Sequence, residues 1–161
     1  MQPKVLTTTF YEYASAAELP AAEAELMASA NEALERAYAP YSKFKVGAAV
    51  LLGNGTVVTG NNQENAAYPS GLCAERVALF AANSLYPNEI VVAIAITAKG
   101  GHIKVEKPIP PCGGCRQVIA ESEYRYGSPI KLLMKGETES ILVSNSIEDL
   151  LPLIFDGKML I

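Results

Sequence analysis

Between residues 20 and 38 the apolar side chains Leu26, Met27, Ala30, Ala33, Leu34 and Ala37 recur on one side of a helical wheel. That period predicts an amphipathic helix. Pro20 suits its first turn, and Glu23 and Glu25 suit the positive end of its dipole. Pro40 marks its end. The period then shortens. Residues 46–52 and 56–59 are apolar or β-branched runs around Gly53-Asn54-Gly55, where Asn-Gly predicts a hairpin turn. An Ala-rich helix is expected over 73–84. The run 90–98 is too uniformly apolar for a half-exposed strand and reads as a central one covered on both faces. A further helix follows over 112–124, then strands over 130–134 and 140–143, and a last helix over 147–154. This alternation in the second half implies parallel pairing through right-handed crossovers. The expected fold class is α/β, a three-layer α/β/α arrangement with a mixed sheet of about five strands. Residues 7–14 alternate weakly, the pattern of an added edge strand.

Composition narrows the class. With 161 residues, 50% hydrophobic and 19% charged, residues 1–161 are expected to form one ordered domain with a core that needs no disulfide staples. The 13 Lys and Arg against 17 Asp and Glu give a net charge of −4. That balance disfavours a nucleic-acid partner, which requires a basic face. The longest apolar run, 90–96, is far short of a membrane span, and the first thirty residues lack the apolar stretch of a secretion signal. A cytoplasmic protein with no membrane partner is expected.

In such a compartment three cysteines cannot be a disulfide set, and point to metal or catalysis. Cys112 and Cys115 stand in Pro111-Cys112-Gly113-Gly114-Cys115-Arg116, where the glycines let the chain turn around an ion. Cys73 lies 39 residues earlier, in Ser70-Gly71-Leu72-Cys73-Ala74-Glu75-Arg76. Both segments begin apolar helices, whose N-termini favour thiolates. Three soft ligands select zinc. With a fourth protein ligand the site would be structural, and His102 is the one histidine available; with three it is open to water. A redox Cys-x-x-Cys is the other alternative, although no strand leads straight into it. Glu75 favours the open site. It falls in the first turn after Cys73, beside the metal without being a ligand, where a carboxylate can carry protons. On its own it would read as a residue stabilised by the helix dipole.

Cys73-Ala74-Glu75 with Pro111-Cys112-Gly113-Gly114-Cys115 is the motif of zinc nucleobase deaminases. Two further blocks are Tyr38-Ala39-Pro40-Tyr41-Ser42-Lys43-Phe44-Lys45-Val46-Gly47-Ala48-Ala49 and Gly60-Asn61-Asn62-Gln63-Glu64-Asn65-Ala66-Ala67-Tyr68-Pro69. With these the chain, from about residue 38 to 155, resembles the small, homotetrameric, three-cysteine cytidine deaminases. The resemblance implies Zn²⁺ on Cys73, Cys112 and Cys115, one per subunit, with Glu75 as the proton shuttle. It implies that Asn62 and Glu64 bond the ribose, that Phe44 packs on the pyrimidine, and that the Ala74 N–H holds the base at O2. Ala66, Tyr68 and Phe155 would reach a neighbouring subunit's site in a homotetramer. Residues 1–20 form an N-terminal extension beyond the family's compact form, and 121–128 a longer stretch. Pro110-Pro111, Gln63 and Gly114 depart from the usual pattern without touching the proposed ligands.

The implied reaction is hydrolysis of cytidine and 2′-deoxycytidine to the uridines and ammonia, in pyrimidine salvage. Three thiolates on Zn²⁺ sum to −1, which would weaken the metal as an acid. Arg76, three residues after Cys73, is expected to offset that charge by hydrogen-bonding a thiolate sulfur. The rival readings are deamination of another aminopyrimidine, such as the antibiotic blasticidin S or a deoxycytidylate, and a non-enzymatic zinc-stabilised interaction domain with His102 as fourth ligand.

Overall fold

A computed structural model describes residues 1–160. Helix α1 spans Ala21–Glu35 and buries Leu26, Met27, Ala30, Ala33 and Leu34, the stripe that the period marks. Pro20 stands at its N-cap, one position outside the helix rather than in the first turn. The chain leaves the helix at Arg36, before Pro40 can interrupt it. The hairpin forms from β2 (Lys45–Leu52) and β3 (Val57–Asn61), with Gly55 in the left-handed region at φ 84°. Asn54 Oδ1 accepts from Thr56 N at 2.9 Å and closes the turn.

Helix α2 (Ala74–Leu85), strand β4 (Val91–Lys99), helix α3 (Gly113–Tyr126), and strands β5 (Lys131–Lys135) and β6 (Ile141–Ser144) complete the framework. A short strand β1 (Tyr11–Tyr13) pairs antiparallel with β6, so the alternation over 7–14 does mark an edge strand. The sheet therefore has six strands rather than about five, in the order β1-β6-β5-β4-β2-β3.

Two expectations need correction. Parallel pairing holds for β4 with β5, which α3 connects, but β6 returns antiparallel to β5. The connection 136–140 is a short hairpin loop, too brief for the helix a parallel crossover requires. The helix expected over 147–154 is a single 3-10 turn, Ile147–Asp149. Pro152 removes a backbone donor from the middle of the segment, and Leu153 takes a positive φ of 61° that no helix accommodates.

The two sheet faces are built differently, and the period of two along each strand shows how. Ala48, Val50, Leu52, Ile94, Ile96 and Leu132 face α2 and α3. Ala49, Ala93, Ala95 and Leu133 face α1. Strand β4 is buried on both sides, as its composition required. Each fully buried Leu or Ile contributes roughly 1.5–3 kcal/mol. Since β3 and β4 each pair antiparallel with β2, they run in the same direction. Both α2 and α3 therefore begin beyond the same edge of the sheet, at the carboxyl ends of co-directed strands.

Candidate active site

That placement brings the cysteines together. Cys73 is the N-cap of α2, Cys112 the N-cap of α3, and Cys115 lies buried in the first turn of α3. Cys73 Sγ is 3.8 Å from Cys112 Sγ, which is 3.5 Å from Cys115 Sγ, and all three sulfurs lie within 4.8 Å of one another. A tetrahedral ion with Zn–S bonds of about 2.3 Å places its sulfur ligands about 3.8 Å apart. The donor set therefore fits zinc in both spacing and softness. Among the described residues this is the one such cluster of His, Cys, Asp or Glu, and His102 is not part of it. It lies exposed in the loop after β4.

The thiols do not titrate alike. A hydrogen bond from Cys115, reinforced by Arg76, holds the Cys73 thiol down to about 5, whereas that bond and burial hold Cys115 well above the usual thiol range. Arg76 Nη2 donates to Cys73 Sγ at 3.8 Å, so the guanidinium stands against the sulfur as its spacing led us to expect. Glu75, in the first turn of α2, is only 5% exposed. Burial, reinforced by the charge on Cys73, raises its carboxyl above the ordinary value.

Beside the sulfurs opens a cavity of about 840 Å³ whose walls include Cys73, Cys112, Glu75, Phe44, Asn62, Glu64 and Tyr68. Asn62 and Glu64 do face one cavity, but Gln63 and Asn65 line it as well, so the alternation of an extended segment is not what selects them. The Asn62 amide is anchored as it does so: Oδ1 accepts from Val46 N at 2.8 Å and Nδ2 donates to Phe44 O at 2.9 Å. Ala74 opens α2, so its N–H is among the first-turn donors without an intrahelical acceptor.

Of the residues expected to bind substrate, Ala66, Ala74 and Phe155 do not line the cavity of their own chain, Ala74 being fully buried; Tyr68 lines it and is 79% exposed. Phe155 is 56% exposed, and its carbonyl accepts from Gln117 Nε2 at 2.7 Å. Arg116 makes a similar tie, donating from Nε to Pro111 O and from Nη1 to Leu150 O. The two residues after Cys115 thus fasten the C-terminal segment to the cysteine loop. Sequence reading gave no role to Tyr41, Ser42, Ile109 or Pro110, which also line the cavity. Ser42 stands inside a block that carries the resemblance, but its partner Glu64 is 22 residues away, beyond any local pattern.

Residues 20–126 match the family model for the cytidine and deoxycytidylate deaminase zinc-binding region. Curated cytidine deaminases align well. That of Halalkalibacterium halodurans is 51% identical over 96 residues, covering 60% of this chain and 68% of the relative. That of Sporosarcina psychrophila is 45% identical over 122 residues, covering 74% and 84%. The crystal structure of cytidine deaminase from Burkholderia pseudomallei superposes with a TM-score of 0.69 at 39% identity, covering 81% of this chain and 97% of that one. The Mycobacterium tuberculosis structure gives 0.62 at 35% identity, covering 81% and 94%. With the family model matched over residues 20–126, relatives at 45–51% identity and a shared fold, this chain belongs to the cytidine deaminase family.

Proposed function

We propose that the protein catalyses the hydrolysis of cytidine and 2′-deoxycytidine to uridine and 2′-deoxyuridine, releasing ammonia, as a step of pyrimidine salvage in the cytoplasm. The observation that carries this reading is one cavity whose wall holds both the sulfur cluster with buried Glu75 and the pair Asn62 and Glu64. Cys73, Cys112 and Cys115 would hold Zn²⁺. When bound there, the ion lowers the pKa of a water from 15.7 to about 7 and so supplies a nucleophile near neutral pH. Glu75 moves the protons. Its carboxylate takes one from the attacking water and passes it to pyrimidine N3 to make C4 electrophilic, then takes the second from the hydroxyl formed at C4 and delivers it to the departing amine. Water is consumed and ammonia leaves, so the reaction balances without a further reagent.

The other residues bind and orient. Phe44 packs on the pyrimidine and the Ala74 N–H donates to its O2. Asn62 keeps one amide hydrogen to donate, and Glu64 accepts from a sugar hydroxyl. Arg76 and two helix N-termini offset the excess charge of three thiolates. Exposed Ala66, Tyr68 and Phe155 would complete a neighbouring site in a homotetramer. The test is loss of the cytidine absorbance band with release of one ammonia per base, with adenosine, dCMP and free cytosine as controls. Turnover of cytidine and 2′-deoxycytidine with little of the controls is expected. Preference for dCMP, or no turnover by zinc-loaded protein, overturns the reading. Sedimentation velocity reads the assembly: a single chain that is fully active would exclude shared sites.

A further inference from the structure

Glu64 does not enter the cavity as a free carboxylate. Its Oε2 accepts from the backbone N–H groups of Tyr41 at 2.8 Å and Ser42 at 3.3 Å, and its Oε1 accepts from Ser42 Oγ. These bonds, the Ser42 hydroxyl foremost, hold its carboxyl below the ordinary value. The Ser42 hydroxyl is engaged on its other side as well, where Phe44 N donates to it at 3.0 Å. Between them Lys43 adopts a left-handed φ of 57°, which turns Phe44 N back toward Ser42. Asn62 grips the far side of Phe44 through its carbonyl. Phe44, Asn62 and Glu64 thus belong to one hydrogen-bonded unit, with the Ser42 hydroxyl at its junction.

A carboxylate offers about four acceptor sites. Three are filled here, which leaves one to face the cavity. A glutamate also gives up much rotamer freedom when fixed, and a ligand that must fix it binds more weakly. We propose that Ser42 is a positioning residue that holds the Glu64 carboxylate in its binding rotamer before the nucleoside arrives. It acts through Glu64 and does not itself touch the reacting atoms. The inference rests on the assignment of Glu64 to the sugar, and it goes beyond that assignment in naming what orients the group.

The test compares Ser42→Ala, Ser42→Val and Ser42→Thr in the zinc-loaded full chain, with cytidine as substrate. Losing one charge-assisted hydrogen bond predicts a KM for Ala and Val about tenfold higher, with kcat within about twofold of the parent protein. Thr, which differs from Val by the hydroxyl alone, brings KM back toward the parent value. A Glu64→Gln background separates the two roles: there, adding Ser42→Ala changes KM little, because the partner's charge is already gone. An unchanged KM in Ser42→Ala, equal behaviour of Val and Thr, or additive effects with Glu64→Gln overturns the proposal. So does loss of folding in Ala and Val, read as a collapsed thermal midpoint, since the role would then be structural. Inactivity of the parent protein on cytidine would instead strike the functional reading, which keeps the two failures distinct.

Discussion

Gly60 lies buried in β3, and a Cβ built there would sit 2.5 Å from Ala78 N and 2.8 Å from Ala74 O. Both are backbone atoms of α2, so no side-chain rotation relieves the overlap. Ordinary contact begins near 3.4 Å, and the helix would have to retreat by about 0.9 Å at Ala78 and about 0.6 Å at Ala74. The cost of Gly60→Ala is that of overpacking, roughly 1–3 kcal/mol. At about 2–4 °C per kcal/mol for a chain of this size, the thermal midpoint should fall by several degrees. The same helix carries Cys73 as its N-cap and Glu75 in its first turn. A displacement near 1 Å at reacting groups costs on the order of a hundredfold in rate. The assay pairs calorimetry with kcat/KM on cytidine and zinc per chain, with Thr59→Ala on the exposed side of β3 as control. A Gly60→Ala protein within 1 °C and about twofold of the parent would refute the claim that α2 is seated on bare backbone.

Two further outcomes follow from side chains that clamp loops. Glu123 Oε1 accepts from Ile130 N at 2.8 Å and Ile147 N at 3.0 Å, and its Oε2 accepts from Ser146 Oγ, so Glu123→Ala should cost about 2–4 kcal/mol in urea unfolding. A loss below about 0.5 kcal/mol would show that the C-terminal segment does not depend on it. Glu137 Oε1 accepts from Val105 N and Gly100 N, which hold its carboxyl below the ordinary 4.5. A depressed folded-state pKa adds stability that is present above the unfolded value and lost as pH falls through 4.5 and below. The midpoint difference between the parent and Glu137→Gln should therefore be positive at pH 7 and shrink in acid, and a constant difference would rule out the charge as its source.

Much of this was legible along the chain, for identifiable reasons. The stripe from Leu26 to Leu34 and the alternation of β2 and β4 are local periods, and local periods set which face is buried. The three cysteines were legible because each stands at a helix start, where sequence shows both the ligand type and the turn that presents it. The direction of β6 was not, because strand period does not report the direction of the neighbour; only the length of the loop 136–140 does. The segment 147–154 carries apolar residues at helical spacing, yet Pro152 and the positive φ at Leu153 prevail over the pattern. The hydrogen bonds that fix Asn62 and Glu64 run to Phe44, Val46, Tyr41 and Ser42 across 16 to 23 residues, and such pairings exist only once β2 and β3 have formed.

Glu75→Ala tests the division of labour at the centre of this account, in which the cysteines hold the ion and a buried carboxylate carries the protons. Zinc per chain and ammonia release from cytidine are measured on the same purified sample, beside the parent protein. Loss of general acid–base catalysis alone predicts a fall of about 10²–10⁴ in kcat with zinc still at one ion per chain. Retained turnover would remove Glu75 as the proton carrier, and loss of the zinc together with activity would show that the carboxylate serves the metal site rather than the protons.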